Sequence, residues 1–112
     1  MLLAALILLA VAALLGITLL TFVLRGRHTP KGVALAHGGA AALGIVVLVV
    51  YWIVAGTAPR TSLLLFIVAA VGGAVLIILD LRRGRVPKGL AVGHGLIALA
   101  GLALLAAFWL RS

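Results

Sequence analysis

Two histidines carry most of the chemistry this sequence can offer. His37 lies in VALAHGGAAALG (33–44) and His94 in LAVGHGLIALAG (90–101). An imidazole in apolar sequence either bonds a neighbouring backbone carbonyl and ties helices together, or ligates a metal. The residues that follow suit the second role as well as the first. Ala41 and Gly44 stand at i+4 and i+7 from His37, and Ala98 and Gly101 stand at the same places after His94, so they share the histidine's face on a helix. With the adjacent Gly38 and Gly95 they leave a thin slot about 10 Å tall at helical rise.

The elements that must position these residues are apolar runs. Of 112 residues, 67% are hydrophobic and 9% are charged, more apolar surface than a soluble domain of this size could bury. Four runs, 2–24, 33–55, 62–81 and 90–110, are each long enough to cross about 30 Å of hydrocarbon as a helix. The first run has no basic residues before it and reads as a membrane helix rather than a signal peptide. The breaks RGRHTPKG (25–32), GTAPRT (56–61) and RRGRVPKG (82–89) carry proline and glycine as turn punctuation. Turns so short force neighbours antiparallel. The expected fold is an all-α membrane protein, an up-down four-helix transmembrane bundle forming a single domain over 1–112.

The sequence also repeats itself. With one extra residue allowed in the first turn, Pro30, Lys31, Gly32, His37, Gly38, Ala41, Gly44 and Trp52 align with Pro87, Lys88, Gly89, His94, Gly95, Ala98, Gly101 and Trp109. Chance matches in apolar sequence yield Leu and Ala, not Pro, Lys, His and Trp together. The bundle is therefore expected to be two parallel helical-hairpin repeats, about 1–55 and 56–112. That duplication sets both histidines on diagonal helices at one depth, roughly 6 Å inside the membrane edge.

Net charge is +8, but the basic residues sit in turns, which points to lipid headgroups and away from nucleic acid. Arg25, Arg27, Lys31, Arg82, Arg83, Arg85 and Lys88 lie on one side, and Arg60 and Arg111 on the other. The positive-inside rule then places turns 25–32 and 82–89 in the cytoplasm and both termini outside. A bacterial or archaeal inner membrane is the expected location. There is no cysteine, hence neither disulfide nor thiolate ligand.

Among metals, a haem suits the pattern best. Imidazole is a usual axial ligand of haem iron, whereas a bare zinc site wants three or four protein ligands. Gly16 in the first run and Gly72 and Gly73 in the third thin the bundle near the histidines' depth. Lys31, Lys88 and the turn arginines crowd the mouth, where propionates need cations. Small residues at this spacing also serve simple close packing, and that reading stays open.

The four-helix layout, the His37/His94 pair and the nearby glycines resemble the b-type transmembrane cytochromes, whose haem-binding core carries histidine ligands on its second and fourth helices. The resemblance implies one bis-histidine haem b near the cytoplasmic side, ligated by His37 and His94. It also implies electron transfer, redox sensing or haem handling, in a homodimer or a larger membrane redox complex. Those cytochromes commonly hold two haems, but 45–55 and 102–110 contain no histidine, so at most one fits here. Two alternatives belong to other classes. One is a structural or assembly subunit of a membrane complex. The other is a small transporter: length and helix count resemble the small multidrug resistance transporters, but their essential helix-one glutamate has no counterpart here.

Remaining polar residues invite local roles. Asp80, the sole acid, is expected to pair with Arg83 at i+3 or with another turn arginine, the alternative being a proton relay or a supporting hydrogen bond toward a histidine. Thr21 is a candidate hydrogen-bond donor to a histidine, or bonds back along its own helix. His28 is expected in solvent. No nucleophile–base pair, phosphate loop or carboxylate pair is visible, so no hydrolase or transferase machinery is seen, and enzymatic activity is left open, with a redox role among the options.

Overall fold

The computed structural model describes residues 1–112 as four α-helices: α1 (Leu2–Leu24), α2 (Lys31–Ala55), α3 (Arg60–Arg83) and α4 (Lys88–Arg111). All four are long and apolar enough to cross a membrane. They pack as an elongated bundle of 43 × 19 × 18 Å. Contacts run α1–α2, α3–α4, α1–α4 and, least of all, α2–α3; the diagonals α1/α3 and α2/α4 do not touch along their backbones. Gly16 meets His37 while Leu9 meets Gly44, and Gly73 meets His94 while Phe66 meets Gly101. Residue numbers rise on one helix as they fall on its neighbour, so each hairpin is antiparallel.

The helices extend past the apolar runs. Pro30 and Pro87 (φ −62° in both) are the N-caps of α2 and α4, so each helix begins at a lysine. Proline's fixed φ suits the start of a helix, where its missing N–H costs nothing. Arg60, Thr61, Arg82 and Arg83 likewise belong to α3, because an apolar run marks where the side chains are hydrophobic, not where the helical hydrogen bonds end. His37 and His94 are each six residues past the first helical residue (37 − 31 and 94 − 88), about 9 Å along the helix axis. Gly56 (φ 72°) and Gly84 (φ 70°) close α2 and α3 in the left-handed conformation, which a side chain would oppose.

The tight core lies toward the end away from the basic turns. Leu2, Ala5, Leu9, Leu48, Leu63, Phe66 and Leu105 form one buried cluster. The Ser62 hydroxyl donates to Gly101 O at 2.6 Å within it. Beyond it Tyr51 and Phe108 meet edge to face at 6.5 Å, and Arg60 stands over the Trp52 ring at 5.8 Å. At the other end, the Lys31 ammonium pairs with the Asp80 carboxylate, which also accepts the Thr29 hydroxyl at 3.0 Å. That pairing corrects the expectation for Asp80. Its partner is neither Arg83 nor another arginine but a lysine at the start of α2, because α2 and α3 bring those two ends together.

Candidate functional site: a paired imidazole cavity

The site is built twice, by the same local device. His37 Nδ1 donates to Ala12 O of α1 at 2.7 Å, and His94 Nδ1 donates to Ala69 O of α3 at 2.8 Å. The direction is fixed because a carbonyl only accepts. Each ring lies against a glycine of the same neighbouring helix. A Cβ at Gly16 would stand 2.9 Å from His37 Cε1, and one at Gly73 would stand 3.2 Å from His94 Cε1. Gly72 borders His94 less closely, at 3.6 Å from Nδ1. Glycine is needed on α1 and α3 because the imidazole occupies the space a side chain would fill. The small faces of α1 and α3 are thus the berths of the two rings.

The rings converge across the bundle diagonal. Their centroids are 6.1 Å apart with planes at 86°. Both line one cavity of about 70 Å³, floored by Leu9, Ile45 and Phe66 and walled by Ala12, Ala13, Ala41, Ala69, Ala70 and Ala98. Neither Nε2 has a hydrogen-bond partner. Every fully buried polar side-chain atom does have one, so both Nε2 atoms remain accessible. In a neutral ring whose Nδ1 carries the proton, Nε2 keeps its lone pair and is the atom that can ligate.

Of the residues anticipated for a cofactor slot, His37, His94, Ala41 and Ala98 line this cavity, and Gly16, Gly72 and Gly73 back its rings. Gly44 and Gly101 lie beyond it, packed on Leu9 and on Phe66. Gly38 and Gly95 have nothing near the position of a Cβ and take no part. Lys31 is engaged with Asp80, and Lys88 lines a separate polar groove between the first and third turns. Thr21 bonds back to Thr18 O at 2.6 Å and does not reach a histidine; His28 is exposed, as expected. The acceptors Ala12 and Ala69 were not foreseeable as such, since a backbone carbonyl leaves no mark in sequence. Their spacing could have hinted at them: each lies 25 residues before its histidine.

Two tests of a haem at this site give different answers. The donors fit. Both candidate donors are imidazoles, the usual protein ligands of haem iron, and their ring centroids lie 6.1 Å apart. Ligating histidines also commonly donate their other N–H to a carbonyl. The space does not fit. Small-molecule pockets run to roughly 300 Å³ and above, and a cavity of about 70 Å³ holds a few waters. The closed bundle therefore does not accommodate a porphyrin.

Comparison with protein-family models, curated proteins and solved structures gave no match.

Proposed function

We propose that this chain is an integral membrane protein, made of two parallel copies of one helical hairpin, whose His37 and His94 would hold one haem b for electron transfer, redox sensing or haem handling. The single observation that carries the site assignment is the pair of Nδ1-anchored imidazoles that leave two free Nε2 atoms at one cavity.

The membrane reading rests on surface chemistry. Only 16 of 112 residues are buried, and side chains such as Leu35 (79% exposed) and Ile53 (75%) face outward. Water would penalise that surface and lipid would not. The basic turns are the cytoplasmic end by the positive-inside rule. Duplication is supported by contacts that recur at a constant offset of 57 (94 − 37): Ala12 and Ala69, Gly16 and Gly73, Gly44 and Gly101, Leu48 and Leu105 each take equivalent places.

Charge favours haem over a bare ion. A dication in this apolar cavity would meet two neutral donors and no anion, at a desolvation cost of tens of kcal/mol for an unpaired charge. Haem iron brings its own dianionic macrocycle. Held by His37 and His94, it would supply one-electron chemistry. What the chain itself contributes is ring orientation through Ala12 O and Ala69 O, and exclusion of water by the alanine walls. The donor chemistry supports this reading, and the cavity of about 70 Å³ between the rings opposes it.

A second reading is favoured by the same hydrogen bonds: each imidazole staples its hairpin and needs no ligand. Absorption spectra of protein purified in detergent from haem-replete cells separate the two. Haem ligation gives a Soret band and sharpened reduced α and β bands, lost in His37→Ala and in His94→Ala. Colourless protein that takes up no added haem, with both variants merely less heat-stable, overturns the haem assignment and leaves the staple.

A further inference from the structure

Between the first and third turns lies a groove of about 490 Å³ that the imidazole site does not use. Arg27, His28 and Thr29 line it from one turn, and Arg85 and Lys88 from the other. Asp80 also borders it, but its carboxylate is already matched by Lys31. The chain has no second acid, so Arg27, Arg85 and Lys88 line the groove with no acid beside them other than the Lys31-paired Asp80. Such a cluster is self-repelling until an anion enters. The first N–H groups of α4 are a further source of positive potential, because Pro87 provides no side-chain cap and the first backbone bond is Ala91 N–H to Pro87 O.

We infer that this groove binds a phosphate-bearing anion, gripped by one arginine from each basic turn, Arg27 and Arg85, with Lys88 and the α4 N-terminus completing the cradle. Guanidinium forks match phosphate oxygens in pairs, and their placement on two separate turns selects a ligand that bridges them. The volume is that of a small-molecule site rather than of a single ion. The same chemistry is offered by a lipid headgroup, given the membrane placement proposed above, and by a soluble diphosphate. The groove does not depend on the haem assignment.

The test uses the full chain and two probes. Pyrophosphate is titrated into detergent-solubilised protein, and nanodiscs of phosphatidylcholine, alone or with about one-fifth phosphatidic acid, report on lipid. Binding is read by ³¹P NMR and by the thermal unfolding midpoint. Saturable binding is expected to weaken about tenfold or more in Arg27→Gln/Arg85→Gln, the scale of losing charge-assisted bonds. It should be nearly unchanged in Arg82→Gln/Arg83→Gln, which removes equal charge from the same end outside the groove. Lys88→Gln alone gives a smaller loss and guards against a misfolded double variant. Saturation by pyrophosphate assigns a soluble ligand, and saturation only by phosphatidic acid assigns a headgroup. Equal losses in the two double variants, or no saturation by either probe, overturn the inference.

Discussion

Gly16→Ala tests the imidazole berth directly, and its expected sign is opposite to that of an ordinary glycine replacement in a helix. Alanine is favoured over glycine in a helix interior by up to roughly 1 kcal/mol. At Gly38, where a Cβ would meet nothing, that gain should be realised and the protein should become more stable. At Gly16 the new methyl would stand 2.9 Å from His37 Cε1, too close to tolerate. Relief requires the ring to swing, and the ring is held by the bond from Nδ1 to Ala12 O. Breaking that bond leaves a donor unpartnered in apolar surroundings, at about 1–3 kcal/mol. The helix-forming gain is outweighed, so Gly16→Ala should be destabilised by roughly 1 kcal/mol or more while Gly38→Ala is stabilised. Gly73→Ala should fall between them, since its contact with His94 is looser at 3.2 Å. Denaturant or thermal unfolding in detergent gives the three stabilities. ¹⁵N-labelled histidine NMR follows the Nδ1 proton. If Gly16→Ala is as stabilising as Gly38→Ala and the Nδ1 proton signal is unchanged, the His37 ring does not rest on Gly16 and the account of the site fails.

Two further outcomes follow from the packing. Lys31→Met strands the buried Asp80 carboxylate, whereas Asp80→Asn merely frees a lysine that is already half-exposed; unfolding measurements should therefore show the larger loss for Lys31→Met, and the reverse order would mean that the pair is incidental. Leu48→Ala and Leu105→Ala, at side chains with no exposure, should each cost about 2–5 kcal/mol, while Leu35→Ala on the outer surface should cost little in detergent. Equal effects at all three positions would contradict a core placed in that half of the bundle.

The sequence by itself determined the four helices, since four apolar runs of helical length are separated by short turns carrying proline and glycine. It also determined that His37 and His94 share one register on the second and fourth helices, through PKG…HG at identical spacing. Helix ends were displaced by a few residues because hydrophobicity does not register charged turns of helix. What only the tertiary structure decided were interactions across helices. The choice of Ala12 and Ala69 carbonyls as imidazole acceptors depends on how two helices are rotated against each other. Gly16 and Gly73 could equally have been packing glycines against any partner. Asp80 met Lys31 because the α2 and α3 ends adjoin, a distance no local spacing rule contains. The histidine pair was legible as a coincidence of depth; its 6.1 Å separation and the tightness of the cavity around it are products of helix approach. Periodicity fixes where a side chain sits on its own helix, and only packing fixes what stands opposite.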